Sequence, residues 1–194
     1  MLRHIVENTP ITVADIATGT GDVLCMLARS LPNAKVVGVD ISAQMMAVAQ
    51  KKLDENLLSN ASLVQADGLS LPFDSESFAA VSCAFWVRNF QQLECGLAEM
   101  YRVLTKNGRL CVLELSVPEN WLVKPFYLLY TKAIIPLIAF AMRVDRQAYA
   151  YLPISVARCP QGEAMERLLR RVGFSRVERK GLSLCLCTLY SADK

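Results

Sequence analysis

Two periodicities of apolar residues alternate along this chain. Short runs rich in valine, isoleucine and alanine are typical of buried strands, whereas apolar residues at every third or fourth position are typical of helices. The predicted strands cover residues 12–17, 35–40, 62–66, 78–85, 109–115, 175–179 and 182–190. The predicted helices run from 22 to about 31, from an N-cap at 42 to about 58, from 93 to 104 and from 163 to 172. The alternation predicts an α/β fold with a mostly parallel, seven-stranded sheet.

One stretch, residues 118–155, interrupts the alternation. We expect a single domain over residues 1–194 with this stretch as an inserted helical cap. Its most apolar part, residues 121–142, contains Lys124 and Lys132 as well as two prolines. A charge near the centre of a membrane helix costs about 2.5–3.5 kcal/mol on insertion scales. The pattern therefore favours an apolar cap or a helix lying on a membrane surface over a membrane span.

Composition narrows the class of protein further. With 53% apolar and 20% charged residues, the chain can form a sizeable core. The net charge of +3 is small and forms no basic stripe, which argues against nucleic acid as a partner. Seven scattered cysteines and an N-terminus without an apolar signal segment predict reduced thiols in the cytoplasm. We expect no metal site, and Cys185 and Cys187 are interpreted as packing residues.

Polar and glycine residues follow the first three predicted strands. Asp15 precedes the turn Gly19-Thr20-Gly21, Asp40 ends the second strand, and Asp67-Gly68 follows the third. Glycines let the backbone turn sharply near a ligand, and an acidic residue after the second strand can accept both hydroxyls of a ribose. Ligands of open α/β sheets lie outside the carboxyl ends of the strands. These residues predict a nucleotide-type site.

The same residues narrow the choice of cofactor. A dinucleotide fingerprint requires glycine where this chain has Leu24, and no P-loop lysine follows the turn. A carboxylate at Asp15 can favour the ammonium of a methionine moiety, directly or through water. An acidic pocket also suits a sulfonium better than a pyrophosphate. S-adenosylmethionine is therefore the expected cofactor, with S-adenosylhomocysteine as its product; an NAD-dependent oxidoreductase is disfavoured.

Longer segments resemble one family. They are ADIATGTGD (14–22), VVGVDIS (36–42), QADGLSLPF (65–73), FWVRNF (85–90), MYRVL (100–104) and DRQAYAYLPIS (145–155). Together they are similar to the ubiquinone/menaquinone biosynthesis C-methyltransferases, and the VRNF and YxYLPxS pieces are the most specific. The resemblance implies a Rossmann-like class I methyltransferase fold with helices on both faces of the sheet. It also implies C-methylation of a prenylated quinol ring, with demethylmenaquinol as the first expectation and a demethoxy-type ubiquinol precursor as the alternative.

Site residues follow from the resemblance by position. It assigns Thr20, Asp40, Asp67 and Gly68 to the cofactor, and we add their neighbours Asp15, Ala17, Gly19, Gly21 and Ile41. Arg88 and Asn89 match the residues expected to assist at the quinol, and Trp86, Tyr149 and Tyr151 are candidates for lining the ring. Ala84 and Trp86 depart from the usual family residues. No strong general base is evident, since the one histidine, His4, lies near the terminus.

The acceptor and the partners are less constrained by the sequence. Apolar residues of the inserted cap are expected to grip a prenyl tail, which would bring the protein to the inner face of the membrane as a peripheral partner. The sequence leaves open whether the protein forms a homodimer. Two other functions stay open as well: methylation of another small-molecule acceptor, and a non-catalytic protein that binds S-adenosylmethionine as a scaffold.

Overall fold

The fold is an α/β sandwich built around one twisted sheet. The computed structural model describes residues 11–90, 92–118, 155–156, 158–183 and 185–194. Its strands are β1 (Thr12–Ile16), β2 (Lys35–Asp40), β3 (Ala61–Gln65), β4 (Phe78–Ala84), β5 (Leu104–Leu115), β6 (Ser175–Leu182) and β7 (Cys187–Asp193). The helices of this part are α1 (Asp22–Ser30), α2 (Ala43–Glu55), α3 (Leu93–Val103) and α4 (Glu163–Val172), and a 3₁₀ turn covers Val87–Asn89.

The order of the strands fixes where a ligand can bind. Across the sheet they run β3-β2-β1-β4-β5-β7-β6. The first five are parallel, and β7 pairs antiparallel with both β5 and β6. The chain winds outward from β1 in one direction and then restarts at β4 in the other. The crevice at the carboxyl ends of β1 and β4 is thus the topological switch point at which open α/β sheets bind ligands.

Helices cover both faces of the sheet, as the resemblance implies. Alternate residues of a strand point to opposite faces. Ala14 and Ile16 of β1 pack in the same cluster as Leu97 of α3, whereas Val13 packs in another cluster with Leu24 of α1. The period-2 burial of the strands therefore separates two apolar layers, and both contribute to the core.

Four predicted strand boundaries are wrong by three to five residues. Two are strand ends: β6 ends at Leu182 rather than at 179, and β7 ends at Asp193 rather than at 190. The other two are strand starts, and each has a local reason. β5 begins at Leu104 rather than at 109, because β4 pairs with it on both sides of a bulge. Asn107 of that bulge adopts a left-handed φ of 62°. The last strand begins at Cys187 rather than at 182, because Leu182 ends β6 and a short turn follows it. The predicted cap at 118–155 lies almost entirely outside the described residues.

In the described part of the chain we also examined the state of the cysteines, possible metal-binding clusters and possible membrane-spanning helices. All seven cysteines are free thiols. We find there no group of three or more histidine, cysteine or acidic side chains that could hold a metal ion. Within the same residues, no helix has both the length and the hydropathy that crossing a bilayer requires.

Candidate functional site

The glycine turn joins β1 to α1 in a tight, left-handed path. Ala17, Gly19 and Gly21 have φ values of 55°, 56° and 79°. The Gly21 amide donates to the Thr18 carbonyl at 2.9 Å, which closes the turn. A Cβ at Gly21 would lie 2.8 Å from the Cβ of Ala49 on α2. Glycine is therefore required at 21 both by the backbone conformation and by the close approach of α2.

Asp40 ties this turn to the end of β2. Its Oδ2 accepts a hydrogen bond from the Gly19 amide at 2.8 Å, and its Oδ1 accepts one from the Ser42 amide at 2.8 Å. A carboxylate has about four acceptor positions, so the two amides leave acceptor capacity for ligand hydroxyls. The predicted juxtaposition of Asp40 with the glycine turn is what the structure shows.

Asp15 lies beneath the turn rather than at its surface. The side chain is 1% exposed. Thr18 Oγ1 donates to one of its oxygens at 2.6 Å and Ser82 Oγ donates to the other at 2.6 Å. Burial raises the pKa of Asp15 to about 6, although the two hydroxyls act in the opposite direction and the nearby Asp40 adds to the rise. The carboxyl thus titrates close to neutrality directly under the predicted methionine end of the site.

A cavity of about 260 Å³ opens beside Asp40 at the switch point. Its lining includes seven predicted site residues: Ala17, Asp40, Ile41, Asp67, Gly68, Trp86 and Asn89. Val39, Ala66, Leu69 and Phe90 complete it. Five of the nine predicted cofactor residues therefore face the same space as Trp86 and Asn89. Gly19, Thr20 and Gly21 do not line it, and the Thr20 hydroxyl instead donates to Asp22 at 2.9 Å.

The loop after β3 forms the far wall of this cavity. The Ala66 amide donates to the Asp40 carbonyl at 3.1 Å, and Asp67 Oδ1 accepts from the Leu69 amide at 2.9 Å. A Cβ at Gly68 would lie 2.9 Å from the ring of Phe90. Glycine at 68 therefore admits the Phe90 ring, a lining residue that sequence reasoning missed because aromatic residues in loops carry no specific signal.

Arg88 does not line this cavity. Its Nη1 donates to Glu114 Oε1 at 2.6 Å and also to the Phe85 carbonyl. The side chains of the pair are only 12% and 3% exposed. Among the described residues, the buried Nε of Arg88 has no acceptor. Arg88 lines a second cavity of about 470 Å³, together with Cys159 and Leu168 among others.

Glu114 is the second residue that sequence reasoning missed. It follows Leu110 and Val112 in the buried row of β5, where an apolar side chain is the ordinary choice. That interruption of the apolar row was a readable signal. Tyr149 and Tyr151 lie outside the described residues, so their placement stays a prediction.

With the geometry established, comparison with known proteins identifies the family. The model of the ubiE/COQ5 methyltransferase family matches residues 1–194. The chain belongs to this family. The predicted family is thereby confirmed, as is the prediction of a methyltransferase, and the oxidoreductase alternative is not favoured.

Curated relatives are similar in sequence to this chain along nearly its whole length. A demethylmenaquinone methyltransferase of Porphyromonas gingivalis is 42% identical, over 100% of this chain and 80% of the relative. One of Bacteroides fragilis is 40% identical, over 95% and 76%. A ubiquinone/menaquinone biosynthesis C-methyltransferase of Blochmanniella pennsylvanica is 35% identical, over 94% and 72%.

Solved structures confirm the predicted fold. A SAM-dependent methyltransferase from Aquifex aeolicus superposes with a TM-score of 0.67 at 18% identity, covering 99% of this chain and 86% of the other. A methyltransferase-like protein from Bacillus halodurans gives a TM-score of 0.68 at 22% identity, covering 100% and 96%. The Rossmann-like arrangement of the sheet is thus shared with methyltransferases.

Proposed function

We propose that this protein transfers the methyl group of S-adenosylmethionine to a ring carbon of demethylmenaquinol, giving menaquinol. The observation that carries the proposal is the match to two demethylmenaquinone methyltransferases at 40–42% identity over 95–100% of the chain. The geometry of the switch-point site supports it, because five of the cofactor candidates line the same cavity as Trp86 and Asn89.

The cofactor fits the residues that are present. We expect Asp40 to accept ribose hydroxyls and the glycine turn to approach the methionine portion with its backbone, which the hydrogen bond between the Gly19 amide and Asp40 and the left-handed φ values of the turn support. The carboxylates of Asp40 and Asp67 suit a cation and disfavour a pyrophosphate. When bound, S-adenosylmethionine supplies an electrophilic methyl group. The chain's own contribution is to hold and orient the two reactants and to exclude water.

The acceptor side requires an electron-rich carbon. Loss of a phenolic proton from the quinol would place negative charge on the ring carbon, which would form a bond to the methyl group while the bond from that methyl group to the sulfonium sulfur breaks and S-adenosylhomocysteine leaves. Loss of the hydrogen on that ring carbon as a proton would then restore the aromatic ring. Trp86 and Asn89 line the cavity where the ring would enter, and Arg88 lies next to them on the 3₁₀ turn. A guanidinium stays protonated and cannot serve as a base. Arg88 lines the second cavity and is paired with Glu114, so its positive charge would stabilise the phenolate from that neighbouring position or orient a water molecule that accepts the proton.

The acceptor also suggests where the protein works. A prenylated quinol resides in the bilayer, so we infer that this protein acts from the cytoplasm in peripheral contact with the inner face of the membrane. Apolar residues of the predicted cap would then grip the prenyl tail. A homodimer is compatible with this arrangement, and nucleic acid has no part in it.

Binding and acceptor assays test the proposal in sequence. Calorimetric titration should show binding of S-adenosylhomocysteine and not of NADH. Methyl transfer from labelled cofactor should then be highest with a prenylated demethylmenaquinol, lower with a demethoxy-type ubiquinol precursor, and lowest with an unprenylated phenol. Preference for the soluble phenol would favour another small-molecule acceptor. Binding without transfer to any acceptor would favour the scaffold alternative.

A further inference from the structure

A buried carboxylate, Glu114, holds the segment that carries Arg88 and Asn89. Glu114 lies near the carboxyl end of β5 and is 2% exposed. Its Oε2 accepts from the Arg88 amide at 3.1 Å, and its Oε1 accepts from Arg88 Nη1 at 2.6 Å and from the Leu115 amide at 2.8 Å. One carboxylate thus fixes both the backbone and the side chain of Arg88.

The segment it holds is strained. Phe85, directly after β4, has a left-handed φ of 57°, which is unfavourable for a bulky residue. The Phe85 amide donates to the Leu113 carbonyl of β5 at 2.7 Å, and its own carbonyl accepts from Arg88 Nη1. Strained backbone persists where the surroundings determine it strongly, as at functional sites. The hydrogen bonds of the Arg88–Glu114 pair close this turn and hold its strained backbone in place.

The pair borders an apolar layer of the core, since Glu114 follows Leu110 and Val112 in the buried row of β5 and Val87, next to Arg88, is fully buried. Removing two charges from water is unfavourable, and a buried ion pair gives weak net stabilisation compared with apolar residues of similar volume. The preceding residues of the buried row, Leu110 and Val112, are apolar, and stability alone would favour an apolar residue at position 114 as well. The carboxylate is therefore better explained by what it holds than by what it adds to stability.

We propose that Glu114 is a positioning residue for methyl transfer, setting the orientation of Arg88 and the path of the 3₁₀ turn toward the acceptor ring. This inference rests on the proposed function. It predicts a larger effect on turnover than on cofactor affinity, because in the described part of the chain neither Glu114 nor Arg88 forms a hydrogen bond with Asp40 or with the glycine turn.

The first test is Glu114→Gln, which keeps the size of the side chain and removes its charge. We expect kcat with the prenylated quinol to fall on the order of 100-fold, as small misplacements of reacting groups can produce. KM for the quinol and Kd for S-adenosylhomocysteine should stay within about threefold. Parent-like kcat would overturn the proposal, and so would a loss of turnover that merely follows a loss of cofactor binding.

A matched control is available on α4, where a carboxylate contacts β6 instead of the 3₁₀ turn. Glu166 is also largely buried, with 16% of its side chain exposed, and it contacts Arg179 at 3.1 Å and Arg170 at 3.3 Å. Glu166→Gln removes a comparable carboxylate away from the 3₁₀ turn and should leave kcat within about twofold of the parent. An equal fall in kcat for both variants would show a general effect of lost ion pairs and overturn the proposal.

A double-variant cycle separates positioning from general damage. In an Arg88→Lys background the forked guanidinium is gone, so Glu114→Gln should lower kcat by only about threefold more. Equal effects of Glu114→Gln in both backgrounds would overturn the proposal.

Glu114→Asp keeps the charge and hence the fold while withdrawing the carboxylate by one methylene. Its kcat should be intermediate, and a parent-like value would also overturn the proposal.

Amide exchange tests the same contact without turnover. Glu114→Gln should speed exchange of the Arg88 amide by about tenfold, with little change at the core amides of β4. Unchanged exchange at Arg88 would overturn the proposal. A parent chain that binds S-adenosylhomocysteine but methylates no acceptor would instead refute the proposed function, and the two failures are thus distinguishable.

Discussion

Replacing Asp15 with asparagine should stabilise the protein near neutral pH. The carboxyl is buried between the hydroxyls of Thr18 and Ser82, and burial raises its pKa from 3.8 to about 6. A neutral amide of the same shape removes the charge, and the rotatable hydroxyls can accept from it as well as donate to it. The substitution therefore removes an unfavourable buried charge without removing the hydrogen bonds.

The magnitude follows from the difference in pKa between the folded and unfolded chain. Because the folded pKa is raised, the stabilising contribution of protonated Asp15 is complete below the unfolded pKa of 3.8 and is lost as the pH rises through about 6. The loss amounts to about 3 kcal/mol. The difference in unfolding free energy between Asp15→Asn and the parent should thus grow by about 2–3 kcal/mol between about pH 4 and pH 7.

The assay is urea unfolding of both proteins across this pH range, with calorimetry for S-adenosylhomocysteine. The exposed carboxylate of Asp54 supplies a control, and Asp54→Asn should show no comparable pH-dependent difference. If Asp15 favours the methionine ammonium, the stabilised variant should bind S-adenosylhomocysteine about 10- to 100-fold more weakly. Identical pH slopes for Asp15→Asn and the parent would refute the reasoning about burial.

Three further substitutions test other parts of the site. Asp40→Ala should weaken S-adenosylhomocysteine binding about 10- to 100-fold by calorimetry, since it removes charge-assisted hydrogen bonds; unchanged affinity would contradict the ribose assignment. Arg88→Ala should lower unfolding free energy by about 3–5 kcal/mol in urea titrations, because Glu114 is left buried and unpaired; a change below about 1 kcal/mol would contradict the buried pair. Gly21→Ala should lower it by about 1–3 kcal/mol, since the new Cβ meets Ala49, and a stability equal to the parent would contradict the left-handed turn.

The Arg88 result would also change how turnover data are interpreted. A loss of activity in Arg88→Ala combines lost chemistry with lost stability, because the guanidinium is part of the core. Arg88→Lys keeps a positive charge near Glu114 and removes the planar fork. It is therefore the better variant for testing whether Arg88 acts on the acceptor.

The cofactor side of the site was predictable because it depends on local rules. Asp40 could be placed beside the glycine turn since the carboxyl ends of parallel strands share one edge of a sheet. The predicted bounds of β2 and α4 agree with the structure because local residues mark where these elements end. β2 ends at the acidic residue Asp40, and α4 ends directly before Gly173. Each of these features is encoded within a few residues of sequence.

The acceptor side depends on contacts between distant parts of the chain. Arg88 and Glu114 are 26 positions apart, and nothing in the VRNF segment reveals that its arginine turns into the core. The turn between β6 and β7 was also missed. Ser183 and Cys185 adopt left-handed φ values there without being glycine, inside a run whose alternation is typical of one continuous strand. Tertiary pairing outweighs local preference at both places.

The position of the transferred methyl group on the product tests most directly the central claim, which is methylation of a ring carbon of the quinol. The protein is incubated with S-adenosylmethionine carrying a deuterated methyl group and with prenylated demethylmenaquinol in micelles, and the product is examined by mass spectrometry and NMR. The account predicts a deuterated methyl group on the ring carbon and stoichiometric S-adenosylhomocysteine. Label on a quinol oxygen, or no label although the cofactor binds, would contradict it.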